Sequence, residues 1–238
     1  MNKSVDRSSQ MDMEKFSKVC DITINDQRIF VESMTHRSYL NEHREADRHH
    51  NERLEFLGDA VLELVVTEHL FSSFTNPEGD MTAWRASLVN EKILARVTRE
   101  MKIEEFLMMS KGEAQDTGRA RNYLLANAME AIIGAIHLDS GYDEATKFIH
   151  TFIIAHLDEV LEKKLYLDPK SYFQEQAQEH EGVTPHYEVI SEEGPDHDRT
   201  FVMGIFLGKK GVAQGNGSSK QEAQREAARK GLEVKGWL

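Results

Sequence analysis

The chain lacks several of the features that would narrow its class at once. Only one cysteine, Cys20, stands in 238 residues, which excludes an internal disulfide and a cysteine-based metal cage. No apolar run is long enough to span a bilayer, and Met1 to Gln10 is polar, without the apolar middle of a signal peptide. These absences lead us to expect a reducing, cytoplasmic setting with no membrane partner. A basic excess is missing too: 29 Lys and Arg stand against 41 Asp and Glu, a formal net charge of −12. Proteins that grip phosphates usually carry a basic footprint. Carboxylates gathered where divalent cations sit between protein and phosphate would reverse that argument; the plainer alternative is a soluble acidic protein. With 39% hydrophobic residues, the chain can bury the core of one large domain or of two modest ones.

Up to about Leu165 the pattern is helix after helix. Apolar residues recur at three- and four-residue spacing in Leu54, Leu57, Val61, Leu64 and Val65, and again in Ala128, Ile132, Ala135 and Ile136. Turn signals fall at Asn76 to Asp80, Lys111-Gly112 and Ser140-Gly141. A charged helix around His156 to Lys164 leads to Asp168-Pro169, where the proline suits a first helical position behind an aspartate cap. Beyond it the rhythm changes: a helix from Lys170 to about His180, alternating segments at His186–Ile190, Thr200–Phe206 and about Gly211–Gln214, and a last helix from about Ser219 to Val234. Ala223, Ala227 and Ala228 give that helix a small-residue stripe for close packing on a sheet. The expected organisation is a flexible tail over residues 1–12, an all-α domain over 13–165, and a small α+β domain of order α-β-β-β-α over 166–238.

On a helix at about 100° per residue, Glu52, Glu55 and Asp59 fall within roughly one quadrant, and Glu63 lies near it. Stacked like charges are unfavourable, and Lys and Arg are too few on this segment for salt bridges to account for them. A hard divalent cation would compensate, since magnesium takes oxygen ligands and keeps waters that it can activate; a solvated acidic face is the alternative. Gly58, costly inside a helix, points to close approach of another backbone. In Leu124 to Ala135 the polar residues Asn127 and Glu130 stand three apart among small and apolar neighbours. They face one way and require hydrogen bonds, an ion pair or a metal.

Asn51-Glu52-Arg53-Leu54-Glu55-Phe56-Leu57-Gly58-Asp59 resembles the signature of the ribonuclease III family at every position. Agreement extends to Thr35 to Leu40, Glu78-Gly79-Asp80, Arg85 to Val89, Ala126 to Ile136 and Leu138 to Gly141, and so covers nearly all of the chain after the first dozen residues. The resemblance implies a homodimeric, magnesium-dependent endonuclease for double-stranded RNA, with manganese able to substitute and no small-molecule cofactor. On the same resemblance the enzyme would leave 5′ phosphates and mature ribosomal, messenger and transfer RNA precursors. Glu55, Asp59, Asn127 and Glu130 match metal-binding positions, with Asp59 and Glu130 catalytic; Glu52 and Glu78 match auxiliary acids, and Phe56 an aromatic knob at the dimer contact. No side-chain nucleophile is implied, and neither Ser87 nor Cys20 has an evident base.

One departure stands out: the family more often has aspartate where this chain has Asn127. An amide oxygen still ligates magnesium but brings no charge, so weaker metal binding is expected. A binding-only regulator with impaired cleavage is the competing reading, and a structural ribosome-associated protein a third. The tail resembles a double-stranded RNA-binding domain, a module that reads A-form shape through 2′-hydroxyl and phosphate contacts. Ser171, Gln174 and Glu175 match minor-groove positions, His197 a loop entering the next groove, and Ser219 with Lys220 the phosphate-facing start of the last helix. Asp168 onward holds nine Lys or Arg against twelve Asp or Glu, net −3. This stretch alone should therefore bind RNA weakly, with a shallow salt slope.

Overall fold

The computed structural model describes residues 11–43, 49–115, 117–195 and 199–237. The chain divides into two compact units, Met1–Glu162 and Lys163–Leu238. The first ten residues of the expected tail, and His197, lie outside the described residues.

The first unit is helical, as its periodicity implies. Its helices are α1 (Met13–Cys20), α2 (Gln27–Ser33), α3 (Arg37–Glu42), α4 (Glu52–Ser73), α5 (Glu78–Leu88), α6 (Glu91–Glu100), α7 (Gly118–Ser140), α8 (Tyr142–Phe152) and α9 (Leu157–Glu162), with short 3₁₀ turns between some of them. Local chemistry sets several starts. Asp12 accepts from the Lys15 backbone N–H ahead of α1, and Asn90 accepts from Lys92 and Ile93 ahead of α6. The turn expected at Asn76 to Asp80 closes earlier, at Pro77, and Gly79 and Asp80 already belong to the first turn of α5. The charged helix expected over 156–164 is shorter, because a 3₁₀ turn at Ile154–His156 precedes α9.

The α4–α7 pair forms the centre. α7 is buried almost all round, from Leu124 to Ala126 and from Ala131 to Ile136. α4 buries Leu54, Gly58, Val61, Leu62, Val65, Val66 and Leu70. Leu64, expected in that stripe, is instead exposed, as are Phe56 and Phe71: the core side of the helix is centred on Gly58, Leu62 and Val65. The two helices meet backbone to backbone. A Cβ on Gly58 would sit 1.7 Å from the Glu130 carbonyl oxygen, and one on Gly134 2.2 Å from that of Leu54. Glycine at both positions is what permits this crossing.

In the second unit α10 (Pro169–Glu181) precedes β1 (His186–Glu193), β2 (Thr200–Leu207), β3 (Lys210–Gly217) and α11 (Lys220–Lys235). Asp168 caps α10 by accepting from the Ser171 N–H, with Pro169 in the first turn. The strands form one antiparallel sheet of order β1-β2-β3, with an irregularity between Val189 and Ser191. The helices cover one face, where Phe173, Ala177, Ile205, Leu207, Ala227, Ala228 and Leu232 make the core. The alanine stripe of α11 allows an intimate contact: a Cβ on Gly215 would lie 2.1 Å from the Ala227 nitrogen. β3 runs further than its apolar alternation suggests, because it ends in glycines on which α11 lies.

Candidate active site and RNA-binding face

The acidic side of α4 is built at its start. Asn51 is 2% exposed, donates its backbone N–H to the Thr35 carbonyl at 2.9 Å, and donates its side-chain amide to the Ser33 carbonyl at 3.4 Å. This anchors the first turn of α4, from which Glu52 and Glu55 project. Glu52 is exposed, with Arg37 at 3.5 Å and His50 at 3.7 Å. Glu63, which shares the angular sector, is not part of a carboxylate cluster; Arg85 of α5 pairs with it at 2.8 Å.

Glu55 and Asp59 of α4 and Asn127 and Glu130 of α7 act on one another electrostatically. Burial pushes the Glu130 carboxyl up to about 8, aided by the negative charges of Asp59 and then Glu55. Glu55 is also raised, first by burial and then by Glu52, while a hydrogen bond from the Asn127 side chain pulls in the opposite direction. The amide thus favours the ionised form of Glu55, where an aspartate would repel it. The Gly58–Gly134 crossing holds the backbone of Glu130 directly against α4, so the two helices cannot separate the acids without losing core packing.

Among the described residues, no group of three or more His, Cys, Asp or Glu side chains stands ready to enclose a metal ion. The chemistry of the donor set nevertheless fits a hard cation that keeps much of its water: oxygen donors only, with clustered carboxylates that resist ionising together. Glu78 heads α5, exposed, accepting from Thr82 at 3.0 Å. It does not figure among the charges that perturb Glu55 or Glu130, so the structure joins Glu52 to the constellation more closely than Glu78. Phe56, one residue from Glu55, is 82% exposed. What sequence reasoning missed is the supporting frame, Asn51 beneath the first turn and Gly134 opposite Gly58. A second glycine in a strong helix seven residues from Asn127 was the available signal.

In the second unit Ser171, Gln174 and Glu175 line one exposed face of α10, extended by Gln178 and Glu179. Ser219 caps α11, accepting from Glu222, and Lys220 follows it. The cations are mostly engaged: Lys220 with Glu192 at 3.6 Å and over the Phe201 ring, Arg225 with Asp168 at 2.9 Å, Arg229 with Glu226 and Glu233, and Lys235 with Glu181. Lys209 and Lys210, at the β2–β3 turn, are exposed. Surface pairs of this kind are weak and can reopen, but each one lost to RNA offsets part of the gain.

These two units correspond to two known modules. Residues 26–157 match the family model described as ribonuclease-III-like, and residues 169–235 match the double-stranded RNA binding motif. The chain belongs to the ribonuclease III family, as a nuclease domain followed by a double-stranded RNA-binding domain. It is 42% identical over 212 residues to ribonuclease 3 of Pelotomaculum thermopropionicum, covering 89% of this chain and 88% of that one. It is 41% identical over 204 residues to ribonuclease 3 of Myxococcus xanthus, covering 85% and 78%. Among solved structures it resembles the nuclease domain of ribonuclease III from Campylobacter jejuni, with a TM-score of 0.55 and 38% identity over 60% of this chain and 97% of that one. No helix among the described residues is long and apolar enough to cross a membrane.

Proposed function

We propose that this chain is a divalent-metal-dependent endoribonuclease that hydrolyses phosphodiester bonds in double-stranded RNA, with Glu55, Asp59, Asn127 and Glu130 as its metal-binding side chains. The observation that carries this reading is the electrostatic coupling of Glu130 to Asp59 and Glu55 across the α4–α7 crossing. Magnesium is the expected ion and manganese its substitute; when bound, it supplies Lewis-acid stabilisation of the phosphate and acidifies water. The chain's own residues do the rest. Asp59 supplies negative charge that draws the ion in, and Glu130 adds its own once its proton is displaced. Asn127 favours the ionised form of Glu55 by donating to it, and Glu52 adds negative potential at the rim. Glu78 is assigned an auxiliary place on the neighbouring helix. Metal binding must displace the proton that burial retains on Glu130.

RNA is gathered by the second unit. Ser171, Gln174 and Glu175 suit minor-groove hydrogen bonding, and Ser219 and Lys220 suit a phosphate at the start of α11; His197 is assigned to the same duty on its resemblance alone. A homodimer with Phe56 at its contact is supported by the exposure of that ring; the Campylobacter jejuni nuclease domain likewise has a region involved in dimer formation. Two sites on such a dimer would cut both strands. Ribosomal precursors and other structured transcripts in the cytoplasm are the natural substrates this implies.

The test is long duplex RNA incubated with the full chain in millimolar magnesium, and in parallel with a chelator. Cleavage to 5′-phosphorylated products only with the metal is the expected result. Binding without cleavage at any magnesium concentration, in folded protein, would establish instead the regulator that Asn127 suggests.

A further inference from the structure

One strip of α7 continues past the candidate metal site toward solvent. Residues 123, 127, 130 and 134 fall on one side of the helix at three- and four-residue spacing. Their surroundings change steadily along it. Gly134 is buried against α4, Glu130 and Asn127 are half-buried in the acidic site, and Tyr123 is 57% exposed. The strip therefore leaves the helix contact at the site and reaches solvent at an aromatic phenol. The Tyr123 hydroxyl has no hydrogen-bond partner among the described residues. Its neighbours in sequence are already used: Asn122 accepts from Arg99 at 2.6 Å, and Arg121 is held by Glu104 at 2.7 Å.

We propose that Tyr123 is a substrate-positioning residue whose hydroxyl donates a hydrogen bond to a non-bridging phosphate oxygen of the bound RNA strand. The inference rests on the reading of Asn127 and Glu130 as part of the cleavage site. At 1.5 Å rise per residue, Tyr123 stands about 6 Å from Asn127 and about 10 Å from Glu130 along the helix axis. It therefore meets a phosphate beside the scissile one, not the reacting phosphate itself. An uncharged donor is well suited here, because a phosphate approaching four acids gains a contact without a buried cation having to be desolvated. Tyr123 is more than half exposed and lies outside the buried core, so its replacement should not disturb the fold.

The experiment compares Tyr123→Phe and Tyr123→Ser with the natural full-length chain. Equilibrium binding of a duplex RNA is measured in chelator, steady-state cleavage in magnesium, and oligomeric state by light scattering. Loss of the hydroxyl should weaken binding and raise KM by about three- to tenfold, the effect of one hydrogen bond, with kcat, melting temperature and oligomeric state unchanged. The serine variant should behave like phenylalanine, since its hydroxyl does not reach. Equal affinity and KM in the natural chain and Tyr123→Phe would overturn the proposal, as would a fall in kcat at constant KM or a change in oligomeric state. If the natural chain itself fails to cleave, it is the nuclease reading that fails; the binding arm in chelator still decides the role of Tyr123.

Discussion

Glu130→Gln is expected to slow magnesium-dependent cleavage of duplex RNA by about a thousandfold, the scale on which one well-placed electrostatic group acts in catalysis, while leaving duplex binding intact. The same substitution should stabilise the metal-free protein. Burial and the charges of Asp59 and Glu55 raise the Glu130 carboxyl from its ordinary 4.5 to about 8 in the folded chain. Between those two pH values the folded state binds the extra proton, so stability falls as pH rises. Below about 4.5 both states are protonated, and the full contribution of this group is present; above about 8 it is gone. Thermal unfolding in chelator should therefore show the natural chain losing melting temperature from pH 5 to pH 8. Glutamine, which has no proton to lose, should flatten that dependence and melt higher at pH 8. Magnesium should raise the melting temperature of the natural chain most at alkaline pH, where no proton competes, and hardly affect the variant. A variant that melts with the same pH dependence as the natural chain would show that Glu130 is not the strained carboxyl.

Gly58→Ala should be among the most destabilising single-methyl additions in the chain. The new carbon would stand 1.7 Å from the Glu130 carbonyl oxygen and 2.8 Å from the Gly134 nitrogen. Both are helix backbone, which cannot turn aside as a side chain would. The α4–α7 pair has to part, at a cost of about 3 kcal/mol or more, at the upper end of what overpacking usually incurs. Gly134→Ala meets the Leu54 carbonyl in the same way and should match it. Gly79→Ala is the control: nothing lies within 4 Å of its added carbon, and alanine in a first helical turn should be neutral or stabilising by up to about 1 kcal/mol. Denaturant unfolding of the three variants distinguishes these cases. A mild effect at Gly58 would mean that the α4–α7 crossing yields more readily than backbone contacts this close imply.

Much of this was legible beforehand, for identifiable reasons. The helical first unit and the α-β-β-β-α second one follow from a change of hydrophobic period, and Asp168-Pro169 marks a helix start that the structure repeats. Gly58 betrayed a backbone contact because glycine has no other reason to interrupt such a helix. The partner Gly134 is harder to see, because the run of small apolar residues around it dilutes the signal of one more small residue. Leu64 was misplaced because a stripe read at three- and four-residue spacing fixes the period of a helix but not the centre of its buried arc. The length of β3 was hidden by glycines that contribute no alternation. At the site, the acids of α4 were visible as a cluster, but only the fold distinguishes Glu63, neutralised by Arg85, from Glu55, which Asn127 contacts.

Asn127 is the residue on which the proposed chemistry turns. Its amide supports Glu55 without adding charge; an aspartate would give the metal a stronger ligand and the metal-free protein a further like charge to accommodate. The most direct measurement is the cleavage rate of duplex RNA across a magnesium titration, for the natural chain and for Asn127→Asp. The aspartate variant should reach half its maximal rate at a magnesium concentration several-fold lower, and should melt at a lower temperature in chelator. Coincident titration curves would contradict the assignment of Asn127 to the metal site.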